Sequence, residues 1–394
     1  MTSRGSTSAS RAAANRLRLF FWEETAGDWY SASSEGRRPE FPEYVTRGLR
    51  ALREGVGREA GTVASMLPVH RVFLRDDGSD RLPDRYVAEH HTLTLFGLHQ
   101  HAASEPVHRP GAGLGTACLL LRRSEALTDS AVERRLTAAA TSQDLQELVQ
   151  HLQRLVPLLR RAGIGLDYTR LFHELTRWDS PQRDRVLRSW GLQYTDPGTP
   201  SQEGNPDDTG AEQTPYWGTF DPENRETGAE LAALRSGTGR EPGTVAAMWP
   251  FHRTRMASEW RDKGSLTRDL AAEHIALTLF ARHQQSHSRR MHIAGNSPGT
   301  AAGLLARRNA ADGEGKAATA ALERRFGTLL TSADTDELAM HLRSLVPLLN
   351  RAGIGLDYNL LRTALRTWND PRRPDDATGY RQQWDHDFHR AASA

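Results

Sequence analysis

The chain holds a single cysteine, Cys118, in 394 residues. That excludes an internal disulfide and fits a reducing, cytoplasmic setting. Lysine is almost absent: of 51 basic residues, only Lys263 and Lys316 are not arginine. A GC-rich genome produces the same skew, so arginine number alone identifies no partner. No apolar run approaches the ~18 residues of a membrane-spanning helix, and no membrane partner is expected. Residues 1–19 contain Ser, Ala and Arg but no acid. They lack the apolar stretch of a secretory signal, so a disordered basic tail is expected. Aromatic residues make up 7% of the chain, and few of them lie among the arginines. A base-stacking platform is therefore not implied. Sustained apolar/polar alternation is missing too, which argues against a sheet and for an all-α fold.

What the sequence does have, it has twice. LQELVQHLQRLVPLLRRAGIGLDY (145–168) answers TDELAMHLRSLVPLLNRAGIGLDY (335–358), and 16 of the 21 positions from Leu148 to Tyr168 are identical at a fixed offset. LREGVGREAGTVASMLPVHR (52–71) answers LRSGTGREPGTVAAMWPFHR (234–253), and AEHHTLTLFGLHQ (88–100) answers AEHIALTLFARHQ (272–284). Repeats this long are domains, not solenoid units. The expected layout is a first copy at 20–194, an acidic Gly/Pro linker at 195–215 and a second copy at 216–394. The linker carries Asp196, Glu203, Asp207, Asp208 and Glu212 and no base, which leaves the rest of the chain at +7 against a total of +2. That bias permits a phosphate partner without demanding one.

Helical periodicity is clearest where Leu145, Leu148, Val149, Leu152, Leu155, Val156 and Leu159 share one face. Pro157 and Pro347 fall inside this pattern and should kink or break the helix. Gly163 should stop it, and Asp167 and Asp357 should cap the next helix. The turn GAGLGT (111–116) follows no strand, and its partner is GNSPGT (295–300). It is read as a hinge before a helix rather than a phosphate loop. His90 and His99, like His274 and His283, lie nine residues apart. On a helix that places them about half a turn out of phase, which disfavours a shared metal. No metal or cofactor is expected, and no catalytic set emerges.

The arginines make a better case. Arg154 and Arg161 project at about 180° and about 160° on a helix whose apolar stripe centres near 340°. Arg53, Arg58, Arg134 and Arg135 accompany them in the first copy. Arg235, Arg240, Arg324, Arg325, Arg343 and Arg351 form the set in the second. Planar guanidinium groups suit a phosphate backbone. With Arg154 and Arg161 on its polar face and fewer acids at its end, the first copy is expected to bind the more strongly.

Five features recur in order in both halves: the LR-x-G-x-G segment, LxLFxxHQ, ERR, HLxxLVxLLxxAGIxLDY, and a closing Trp-Asp or Trp-Asn. In this series the sequence resembles the CasB family, the small subunit of the type I-E CRISPR surveillance complex, Cascade. Because members are ordinarily single-copy, the chain resembles two small subunits fused. The resemblance implies two small helical lobes per copy and no enzymatic activity. It implies contacts with the backbone subunits and the large subunit, support of the guide RNA–target DNA duplex, and retention of the displaced strand. One chain would stand in for a small-subunit pair. The family's ERR arginines fall on Arg134, Arg135, Arg324 and Arg325, and its LR arginine on Arg53 and Arg235. The arginine of the His-Leu-Arg helix is Arg343 in the second copy. The first copy has Gln153 there and Arg154 one place on. The rival readings are a helical scaffold that binds only protein and a histidine-based metalloenzyme.

Overall fold

The computed structural model describes residues 19–34, 40–74, 81–124, 126–195, 214–311 and 315–394. The basic tail, apart from Leu19, and linker residues 196–213 therefore lie outside the described residues. Contacts divide the chain into two compact units. One is Met1–Gly198 with Ser258–Gly264; the other is Thr199–Ala257 with Ser265–Ala394. Both are helical, and among the described residues the only strand-like pairings are the isolated bridges His108–Leu166 and His292–Leu356.

In the first unit the helices are α1 (Phe21–Ser34), α2 (Glu43–Glu54), α3 (Asp84–Gln100), α4 (Leu114–Arg123), α5 (Asp129–Ala140), α6 (Leu145–Arg161), α7 (Tyr168–Thr176) and α8 (Arg183–Thr195). After the linker come α9 (Tyr216–Thr219), α10 (Thr227–Arg235), α11 (Ser258–Asp262), α12 (Arg268–His283), α13 (Pro298–Ala311), α14 (Gly315–Leu330), α15 (Thr335–Ala352), α16 (Tyr358–Thr367) and α17 (Asp376–Ser393). Within the first unit, α2 and α7 pack on α3 while α8 packs on α4, and α6 touches both groups through α3, α4 and α5. The second unit repeats this arrangement, with α15 in the bridging place.

Helix α6 forms because Leu148, Val149, Leu152, Leu155, Val156 and Leu159 are all buried along one stripe. Asp144 caps it by accepting from Glu147 N at 2.8 Å, while Glu147 reaches back to Gln143 N at 2.6 Å. Asp334 and Glu337 do the same for α15 at the same distances. Of the kink or break expected at Pro157 and Pro347, the break does not occur: α6 and α15 run through both prolines. A helical proline costs roughly 3 kcal/mol. The six buried side chains on both sides of Pro157, each worth about 1.5–3 kcal/mol, outweigh it. The helices then stop at left-handed glycines, Gly163 at φ 65° and Gly353 at φ 62°. Asp167 and Asp357 cap α7 and α16 as expected, accepting from Arg170 N at 2.9 Å and Leu360 N at 3.1 Å.

Helix α3 is buried nearly all round, including Glu89, His90, His91 and His99. Each of these polar groups is held by a partner or kept neutral. Glu89 accepts from the backbone N–H groups of Arg71 and Val72 at 2.7 and 2.9 Å. Glu273 accepts from Arg253 and Thr254 at the same two distances. The AEH segment thus ties down the chain that follows PVHR or PFHR, which is why the two motifs recur together. The closing tryptophans also pair: Trp178 stacks on Trp190 at 5.3 Å and Trp368 on Trp384 at 5.6 Å. In the first turn of α4, Gly115 lies against the Trp190 carbonyl, and Gly299 in the first turn of α13 lies likewise against that of Trp384. A side chain at either position would push the two helices apart.

Candidate nucleic-acid interface

The histidines are occupied within the core. His99 Nδ1 lies 2.9 Å from the Tyr168 hydroxyl, and His283 Nδ1 lies 3.0 Å from that of Tyr358. His90 Nε2 meets the Arg58 carbonyl at 3.0 Å, while His274 Nε2 meets that of Gly237 at 3.0 Å. Burial pushes His91, His99, His252, His274 and His283 down to about 4. These rings are neutral near pH 7, and each equivalent pair has a separate hydrogen-bonding task. Among the described residues, no three His, Cys, Asp or Glu side chains are grouped to hold a metal ion.

The arginines separate into two kinds. Arg53 sits in the last turn of α2 and Arg58 in the loop after it, both exposed. Arg134, Arg154 and Arg161 are exposed on α5 and α6. Arg135 is half-buried and donates to the Ala131 carbonyl one turn back at 2.8 Å. In the second unit Arg240, Arg324, Arg325 and Arg351 are exposed, whereas Arg235 and Arg343 are half-buried. Sequence position therefore grouped residues whose availability differs.

Two hollows in the second unit collect several of these side chains. In one, of ≈ 330 Å³, α13, α14 and α15 contribute Arg308, Arg325 and Arg351 along with Asn309, Leu305 and Leu348. Among the described residues, no acidic side chain lines it. Arg308 is held there by donating to the Ala352 carbonyl at the end of α15. The three arginines thus come from three consecutive helices. The first copy has Ser124 in place of Arg308 by the register of the GAGLGT and GNSPGT turns, and Ser124 donates to Leu121 O at 2.8 Å.

The second hollow, of ≈ 620 Å³, is lined by Arg240, Arg268, Arg343 and His274 together with Glu241, Asp334 and Asp336. Arg268 donates to the carbonyls of Trp368 and Asn369 at 3.3 and 3.1 Å, closing the end of α16. Nε of Arg343 is buried without a hydrogen-bond partner, and Nδ1 of His274 is in the same condition. Burial is the main force depressing His274; the charges of His252 and Arg343 add to it. The matching hollow of the first unit, ≈ 420 Å³, is lined instead by Glu59, Asp84, Asp144 and Asp179, with Arg81 as its one arginine among the described residues.

Sequence reasoning missed Arg268 and Arg308. Neither lies in a repeated motif, because the first copy has Asp84 and Ser124 at those places. Had departures from the repeat been sought rather than matches to it, both would have stood out.

Comparison with known proteins gives two matches. A family model described as CRISPR-associated protein Cse2 matches residues 49–194 and again 230–389. The crystal structure of CasB from Thermobifida fusca is 31% identical, over 41% of this chain and 84% of that one, with a TM-score of 0.29. No curated protein matches.

Proposed function

The chain belongs to the CRISPR-associated Cse2 family, two copies in one polypeptide, and from that premise we propose that it fills both small-subunit positions of a type I-E Cascade complex. In this reading one chain contacts the backbone and large subunits, braces the guide RNA–target DNA duplex and holds the displaced strand. It performs no chemistry of its own. Family membership makes it a Cascade small subunit; the occupancy of both positions and the nucleic-acid contacts are our proposal.

The observation that carries the nucleic-acid reading is the hollow lined by Arg308, Arg325 and Arg351, where no acidic side chain stands among the described residues. Converging guanidinium groups without carboxylates favour phosphate oxygens, which accept paired hydrogen bonds from one planar fork. The ERR residues Arg134 and Arg324 add exposed positive charge on the equivalent helices α5 and α14. Contact of this kind is sequence-neutral and salt-dependent. Strand exchange in such complexes is near energetic balance, so modest backbone contacts suffice to bias it.

The test is reconstitution with the other subunits and guide. Reversing Arg134, Arg135, Arg324 and Arg325 to Glu should weaken retention of the displaced strand for every sequence. It should also lower the salt slope, by up to about 3 if all four arginines contact phosphate. Native mass should give one 43.8 kDa chain per complex. An unchanged slope with a folded variant would establish the protein-only scaffold instead. Two chains per complex would overturn the pair assignment.

A further inference from the structure

The first unit is completed by seven residues that lie beyond the linker in sequence, Ser258–Gly264. The segment is short, and its helix α11 has only five residues, yet it is gripped at several points. Arg170 on α7 donates through Nη2 to the Asp262 carbonyl at 2.6 Å, and its Nη1 lies 3.3 Å from the Asp262 carboxylate. Its Nε donates to Glu174 at 3.1 Å, and Glu174 also accepts from Trp190 Nε1 at 2.9 Å. Arg188 on α8, only 6% exposed, donates Nε to the Gly264 carbonyl at 2.9 Å. Ser189 adds a bond to the Asp262 carbonyl at 3.3 Å. Gly264 has φ 60°, and a side chain there would collide with the Arg185 carbonyl.

The side chains that grip the segment are missing from the second copy. The stacked pairs Trp178–Trp190 and Trp368–Trp384 set the register between α8 and α17. In that register Leu360 replaces Arg170, Ala364 replaces Glu174, Gln382 replaces Arg188 and Gln383 replaces Ser189. Leu360 is 45% exposed. A buried guanidinium is costly unless paired, and only the copy that receives a segment carries the pair of them.

We propose that Ser258–Gly264 is a clasp that fastens the second half of the chain to the first independently of the linker. The second copy's want of a matching seat keeps the contact from repeating onto another chain. A head-to-tail contact present on every copy would be open-ended and generate arrays. Present once, it closes.

The test uses the whole chain with a protease site placed between residues 199 and 212. After cleavage the two fragments should travel together in size exclusion and in native mass, and the uncut chain should be monomeric. Asp262→Lys opposes Arg170 without removing any group from the acceptor. It should weaken reassociation of the cut fragments at least about thirtyfold. The pair Arg170→Leu and Arg188→Gln, the second copy's own residues, should act in the same direction. Thermal unfolding of the uncut D262K chain checks that it is folded. Fragments that separate without any substitution overturn the clasp, as does D262K with undiminished association. Uncut chains that dimerise, and lose the dimer on Asp262→Lys, would place the segment on a neighbouring molecule and overturn the closed form.

Discussion

Three equivalent positions carry opposed chemistry in the two copies. Asp84, Gln153 and Asp179 in the first stand where Arg268, Arg343 and Asn369 stand in the second. Among the described residues, the hollow beside them is lined by four carboxylates and one arginine in the first copy, and by three carboxylates and three arginines in the second. Around them little else differs. The caps Asp144 and Asp334, the buried Glu89 and Glu273, and the tryptophan pairs superpose role for role. Residues that build the frame are held by buried hydrogen bonds and close packing. Those lining the hollow face water, where a charge can change sign at little cost to the fold. Duplication thus supplied one scaffold with two faces. The sequence favours the first copy as the stronger binder because of Arg154 and Arg161. The arrangement in space moves that expectation to the second copy, since its arginines converge and Arg135 of the first is turned back on its own helix.

The largest effect tests the buried histidines, of which His99 and His283 are the equivalent pair. Five histidines, two in the first unit and three in the second, have folded pKa values of about 4 against an ordinary 6.5. Between these values the unfolded chain binds more protons than the folded one. Stability is therefore complete above about pH 6.5 and is lost as pH falls toward 4. Each ring can cost up to about 3 kcal/mol at the lower end, so cooperative unfolding should occur before pH 4 is reached. Denaturant titrations from pH 7 to pH 4.5 check this; a flat midpoint would show that the rings are not kept neutral by the fold.

A matched pair of variants addresses what the copies do not share. Arg240, Arg325 and Arg351 correspond to Arg58, Arg135 and Arg161. Reversing the second-copy triplet to Glu should reduce single-strand affinity about tenfold to a hundredfold and lower the salt slope by about 2. The first-copy triplet should cost only about threefold, given its fewer available guanidinium groups. Equal losses would refute the asymmetry. The smallest effect is a control on the scaffold. Asp144→Ala and Asp334→Ala each remove one helix cap, worth about 1 kcal/mol. Denaturant unfolding should report the same loss for both, and a clear difference would mean that the two frames are less alike than their hydrogen bonds suggest.

The frame was legible because its signals are local. Seven apolar positions on one face, an Asp before them and a Gly after them specify α6 within one short window. Pro157 misled because propensity is read residue by residue, whereas the burial that overrides it is summed along the stripe. The candidate interface was only half legible. Arg325 and Arg351 could be named from motifs, but that they share a hollow with Arg308 depends on three helices meeting. The seat for Ser258–Gly264 left almost no trace: Arg170, Arg188 and Asp262 are scattered, and a five-residue helix has no period to detect.

The order of synthesis gives that segment a temporal meaning. Gly264 is made 69 residues after Thr195, the end of α8. At about 5–20 residues per second this is a delay of roughly 3–14 s. Throughout that interval Arg170 has Glu174 but not Asp262, and the Gly264 carbonyl to which Arg188 donates has not been translated. The first unit leaves the ribosome unfinished, its last contacts written into the message of its twin.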